Sequence, residues 1–180
     1  FWLGTAALLL GWSYHGPPLQ LAYRGLGELD VVLCYGPLIS LATYALLTHH
    51  YSVDVLWASL PLGLFTTAFL WVNEFPDYEA DRSVGKNNLV VRLGKRRASR
   101  VLPLIYLVAL GLLAVAVSRD ALHPFALLGY VGALPAAVAI RWTWQEPDTF
   151  YRYHPVQPMA LLAFVLLSAG VTTGILLGGS

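Results

Sequence analysis

Apolar residues run almost without interruption over 31–47, 55–72, 101–118, 121–140 and 158–178, and polar residues collect in the short stretches between. Each run is close to the ~20 residues that a helix needs to cross about 30 Å of hydrocarbon. A sixth run, 1–14, is shorter than a span, and no basic segment precedes it, so it does not read as a signal peptide. It reads as the second half of a helix. The pattern predicts an all-α, polytopic transmembrane helix bundle with about six spans. Pro61, Pro103 and Pro135 fall within or at the start of spans, where neighbouring helices or cavity water satisfy the freed carbonyls. Gly174 and Gly178 have the spacing of a helix–helix contact, a weak signal.

Composition agrees with a membrane solvent. Of 180 residues 57% are hydrophobic and 12% charged, with mean hydropathy +0.62. A net charge of +1 provides no field for nucleic acid, so no nucleic-acid partner is expected. One cysteine, Cys34, excludes a disulfide framework and a thiolate metal site.

Charge then orients the runs. Stretches 15–30, 73–100 and 141–157 fall on one side; 48–54 and 119–120 fall on the other. Ten of the 11 Lys and Arg lie on the first side, and Arg119 alone on the second. The positive-inside rule makes the charged side cytoplasmic, with Phe1 entering from the far side and Ser180 ending there. Trp2, Trp12, Tyr14, Trp57, Trp71, Tyr130, Trp142 and Trp144 cluster near run ends and read as interfacial anchors. His49 and His50 read as solvated turn residues, and His123 and His154 as structural. Glu28 and Asp30 read as acids placed at a helix N-terminus by its dipole.

The stretch that carries chemistry is 71–97, WVNEFPDYEADRSVGKNNLVVRLGKRR. Asn73, Asp77 and Asp81 are four apart, so on a continuing helix each falls about 40° round from the last. Three oxygen-bearing side chains on one stripe suit a hard cation such as Mg²⁺, which takes one or two carboxylates, waters and phosphate oxygens. Glu74 and Glu79 would point elsewhere, into solvent. Lys86, Arg92 and the Lys95–Arg97 cluster follow, and cations beside carboxylates suit a metal-bridged diphosphate better than a free cation. Pro76 removes the hydrogen bond to the Val72 carbonyl and opens the backbone. The bland alternative is a solvated acidic turn followed by a basic loop, since D-x-x-x-D is a short pattern.

The string N-E-F-P-D-Y-E-A-D-R-S-V-G-K-N-N-L-V-V-R-L-G resembles the second aspartate-rich motif of the UbiA-type intramembrane prenyltransferases. It is most similar to the branch acting on 1,4-dihydroxy-2-naphthoate, where the motif reads approximately N-N-x-R-D-x-x-x-D-x-x-A-G-K-R-T-L-A-V-R-L-G. The loop Y-H-G-P-P-L-Q-L-A-Y-R-G-L-G-E at 14–28 also resembles that branch, which has Y-x-G-L-G-E after a Gly-Pro-rich turn. The resemblance implies a nine-helix bundle in which two aspartate-rich motifs face each other across a cavity, each with Mg²⁺. Carried onto this chain, it assigns Asn73, Asp77 and Asp81 to metal and diphosphate. It assigns Lys86 and Arg92 to the motif's basic positions, and places Tyr23 and Arg24 in the bordering loop. Arg24 reads equally well as a positive-inside residue. Asp77, Asp81 and Lys86 would carry the catalysis.

Pro76 stands where the family has Arg, and Asn87–Asn88 where it has Arg-Thr, which bears on the acceptor more than on the reaction type. No N-D-x-x-D occurs before residue 14. The expectation is therefore a single incomplete prenyltransferase domain over 1–180, resembling helices four to nine, without the first three helices and the first motif, and inactive alone. The implied partners are a polyprenyl diphosphate, an aromatic acceptor such as dihydroxynaphthoate, and membrane lipid. The implied location is the inner membrane of a bacterial or archaeal cell, with the active site facing the cytoplasm and the product leading to menaquinone. Other acceptors within the family, a quinone precursor, porphyrin or lipid, are the alternative. A transporter is a distant one, since no charge falls mid-span and eight of the ten acids share one side. The Asp-Gly…Ala-Arg…Gly signature of the phosphatidyl-alcohol transferases is absent.

Overall fold

The computed structural model describes residues 2–178, and the expected far-side positions of Phe1 and Ser180 lie outside the described residues. Helix α1 is Trp2–His15, at 14 residues too short to span. A loop with one 3-10 turn, Leu21–Tyr23, leads to α2, Gly27–Leu33, with Glu28 and Asp30 in its first turn as expected. A π turn, Cys34–Leu38, joins α2 to α3, Ile39–Thr48, without breaking the rod. Pro37 lies inside that turn. It has no N–H to offer the preceding helical turn and its ring crowds the carbonyl there, so the ladder slips by one residue.

Helix α4 is Val53–Asn73, capped by the Ser52 hydroxyl, which accepts from the Asp54 amide at 3.1 Å. Two short helices follow, α5 Tyr78–Ser83 and α6 Leu89–Leu93, then the long α7, Lys95–Ser118. A 3-10 stretch, Pro124–Gly132, runs into α8, Ala133–Gln145; α9 is Phe150–Tyr153 and α10 is Val156–Gly178. Among the described residues there is no strand, and five helices are long and apolar enough to cross a membrane. They are Gly27–Thr48, Val53–Asn73, Lys95–Ser118, Pro124–Gln145 and Val156–Gly178. The chain is an all-α polytopic bundle, as the apolar runs predict.

The connections gather at two ends. At the charged end the Asn87 amide donates to the Tyr23 carbonyl at 3.3 Å, and the Phe75 and Phe150 rings meet edge to face at 5.1 Å. At the other end the Arg119 guanidinium lies 4.9 Å from the Trp57 ring centre. Between them the core is built from α4, α7 and α10. Phe65 packs edge to face on Tyr106 at 4.9 Å, and Ala98, Ala109, Ala160 and Ala163 are fully buried. The large apolar side chains Leu104, Leu107, Leu134 and Leu176 point outward. Lipid provides no hydrophobic force between helices, so small residues face inward to bring backbones close, and bulky ones meet the acyl chains. Trp71 departs from its expected role as an anchor: it is buried, and its indole N–H donates to the Ala98 carbonyl at 3.0 Å. Trp2, Trp12 and Trp144 are exposed, as anchors are.

Candidate functional site

At the charged end, α4 stops where Pro76 forbids its continuation. Residues 74–77 form a turn and α5 restarts from Asp77, whose carbonyl accepts from the Asp81 amide at 2.7 Å. Asn73, Asp77 and Asp81 therefore do not lie on one continuous helix, because the turn at 74–77 separates the first residue from the other two. The Asn73 amide nitrogen turns back onto the Phe69 carbonyl at 2.7 Å and leaves its oxygen unused by that bond. Asp77 is exposed. Asp81 is buried, and one of its oxygens, Oδ2, accepts from Lys86 Nζ at 3.0 Å and from Asn88 Nδ2 at 2.9 Å. Asn88 also caps α6 through its oxygen, which accepts from the Val91 amide at 2.8 Å. Asp81 and Lys86 are thus brought together, on a frame set by Asn88.

Two further carboxylates belong here that the spacing argument passed over. Glu74, expected in solvent, is 5% exposed, and Glu28 is 3% exposed. Glu79 stays exposed as expected. Glu28 Oε1 accepts from the Leu89 amide, across 61 residues of sequence. Glu28 Oε2 and Glu74 Oε2 are buried with no hydrogen-bond partner. Burial first, and the charge of Glu28 second, push the Glu74 carboxyl up to about 9, with Lys86 opposing the rise.

The loop carrying Tyr23 and Arg24 lies against the loop carrying Asn87 and Arg92. Arg92 is exposed, donates from Nε to the Asn87 carbonyl at 2.8 Å, and packs on Gly25. Gly25 has φ +67°, a backbone conformation that favours glycine there. Arg24 is exposed and donates to the Pro18 carbonyl at 3.0 Å, fastening its own loop. Neither arginine makes a hydrogen bond or ion pair to a site carboxylate. Lys95 lies between the rings of Tyr78 and Tyr151, 5.2 and 5.1 Å from their centres.

Beside these loops, α1, α2 and α4 enclose a cavity of about 450 Å³. Asn73, Asp30 and Tyr14 line it together with Phe69 and Leu70. Among the described residues no three His, Cys, Asp or Glu side chains converge on one metal-sized point. What the carboxylates do offer is buried oxygen without a partner, at Glu28 and Glu74. Oxygen donors of that kind fit a hard cation that keeps waters and arrives with phosphate oxygens, rather than one caged by protein alone.

The chain is thus an all-α membrane bundle that carries a carboxylate–lysine cluster at its charged end, beside a largely apolar cavity. The family model of the UbiA prenyltransferases matches residues 1–153, and the chain belongs to that family. It is similar to the 2-carboxy-1,4-naphthoquinone phytyltransferase of Synechocystis sp., 36% identical over 139 residues that cover 74% of this chain and 43% of that one. The UbiA prenyltransferase domain-containing protein 1 of Dictyostelium discoideum is 34% identical over 59% of this chain and 32% of its own length. The 1,4-dihydroxy-2-naphthoate octaprenyltransferase of Escherichia coli is 33% identical over 54% of this chain and 32% of its own. The chain spans less than half the length of these relatives. No solved structure matches it.

Proposed function

We propose that the protein to which these residues belong transfers a polyprenyl group from its diphosphate to a naphthoate-type acceptor, 1,4-dihydroxy-2-naphthoate, on the route to menaquinone. The observation that carries this reading is the meeting of loop 16–27 with loop 85–92 around Asp81, Lys86 and Glu28. The printed activities of the naphthoquinone and naphthoate relatives support the acceptor class. The ten-to-one split of basic residues supports a cytoplasmic site, in the inner membrane of a bacterial or archaeal cell.

In this reading Asp77, Asp81 and the Asn73 amide oxygen would hold Mg²⁺ through waters and phosphate oxygens, not as one continuous stripe. A Mg²⁺ held there would supply charge neutralisation to a diphosphate leaving group. Lys86 sits on Asp81 and adds a cation beside the phosphate oxygens, where charge grows as the allylic C–O bond breaks. Apolar side chains around the site would keep water from the allylic carbon until an electron-rich ring carbon attacks it. Activity is assigned to the complete protein; the 180 residues alone are expected to be inactive, since one cluster offsets only part of a diphosphate's charge.

The test is transfer of a labelled geranylgeranyl group to 1,4-dihydroxy-2-naphthoate by the complete protein in lipid nanodiscs, with and without Mg²⁺. Asp81→Asn should lower turnover by about a hundredfold or more, since contacts to developing charge contribute several kcal/mol. Full Mg²⁺-dependent activity in that variant, or no prenylated product from the wild type, would overturn the reading.

A further inference from the structure

We propose that the cavity between α1, α2 and α4 seats the aromatic acceptor, and that Asp30 receives one of its ring hydroxyls. The inference rests on the prenyl-transfer reading above and names the place of the second substrate. At about 450 Å³ the cavity is of small-molecule size, the usual range being about 300–1,000 Å³. Val31, Phe69 and Leu70 give it apolar walls, while Tyr14, Asp30, Cys34, Tyr35, Thr66 and Asn73 are its polar groups. No lysine, arginine or histidine lines it. Asp30 is only 5% exposed, and its carboxylate is met by the Cys34 thiol, Sγ to Oδ1 3.6 Å. A thiol is a weak donor, so the carboxylate keeps most of its capacity to accept.

That combination discriminates among the three parts of the two substrates. An isoprenyl chain has no donor, and packing it on Asp30 would leave a desolvated carboxylate unsatisfied. A diphosphate, or a carboxylate on the ring, would face the like charge of Asp30, which no lysine, arginine or histidine of the lining offsets. A hydroxylated aromatic ring suits both halves of the lining: its faces meet Phe69 and Leu70, and its O–H donates to Asp30. The ring therefore enters with a hydroxyl edge toward α2 and its own carboxylate turned away. A hydroxyl that donates to a carboxylate also feeds electron density into the ring, where the new C–C bond has to form.

Cys34, the sole cysteine in these 180 residues, lies in the same lining and reports occupancy without turnover. The experiment measures the rate of Cys34 alkylation by N-ethylmaleimide in the complete protein, with any other cysteine replaced. It compares 1,4-dihydroxy-2-naphthoate, 2-naphthoate without hydroxyls, and geranylgeranyl thiodiphosphate. The dihydroxy compound should slow alkylation about tenfold at saturation, and the other two should not. Asp30→Ala should abolish that protection and raise the acceptor KM about tenfold, the loss of one charge-assisted hydrogen bond, with the diphosphate KM unchanged. Asp30→Asn, which keeps one acceptor oxygen and the shape of the side chain, should fall between. Equal protection by 2-naphthoate, or protection by the thiodiphosphate alone, would overturn the subsite. Prenylated product without any Cys34 protection would overturn it too while leaving the prenyl-transfer reading intact; protection without product would do the reverse.

Discussion

Glu74 governs how the charged end responds to pH. Its carboxyl is raised from 4.5 to about 9 in the folded protein, so the folded state binds one more proton than the unfolded chain between those values. A raised carboxyl makes stability greatest below about 4.5 and lets it fall as pH climbs toward 9. Glu74→Gln keeps the shape and carries no such proton. The melting temperature of the detergent-solubilised variant, relative to wild type, should therefore rise between pH 6 and pH 9. A difference that stays constant with pH would mean that Glu74 is already ionised in the folded state. Asp81, by contrast, has partners: its Oδ2 accepts from Lys86 and from Asn88. Removing Lys86 as Lys86→Met would leave its charge half-satisfied, and diphosphate affinity should drop in an equilibrium binding assay about tenfold or more, as for other lost charge-assisted contacts.

Among the elements, the rods are held by close backbone approaches. A Cβ on Gly36 would sit 2.9 Å from the Ser59 carbonyl oxygen, and one on Gly63 would collide with the Val32 carbonyl and with Gly36. These two glycines let the π turn lie directly on α4. Gly63→Val should therefore destabilise the bundle by about 1–3 kcal/mol, as overpacked cores do, read as a lower melting temperature in detergent. Gly11→Ala, which meets nothing within 4 Å, should leave it unchanged. The spans were legible from sequence because a bilayer demands length and apolarity and little else. Their ends were less so: α7 begins at Lys95 rather than 101, because its basic first turns stay helical at the membrane surface. The 3-10 path of 124–132 was not legible at all. It depends on α10, where a Cβ on Gly170 would come within 2.5 Å of the Gly129 amide nitrogen. The site divides in the same way. Asp81 and Lys86 were legible as a local motif. Glu74 was misplaced because its surroundings, Glu28 and Lys86 among them, come from other segments of the chain, and the Glu28 carboxylate itself accepts from an amide 61 residues away.

For the molecule as a whole, the two ends make opposite predictions. With Cys34 replaced by Ala, a cysteine at Ser83 should react with a membrane-impermeant thiol reagent from the cytoplasmic side alone, and one at Ser52 from the outside alone. Reversed labelling would overturn the orientation and the cytoplasmic site with it. The bond from the Leu89 amide to Glu28 reaches further, into how the protein is made. During synthesis Glu28 enters the lipid boundary first, and its partner is still 61 residues short of existing. At about 5–20 residues per second the wait is roughly 3–12 s. For that interval an acid at the head of a span has neither its hydrogen bond nor the loop that buries it, and must stay in contact with water or with the insertion machinery. The hairpin of α2, α3 and α4 therefore cannot settle to its final depth alone. Its seating is a late event, timed by the arrival of the loop that completes the site.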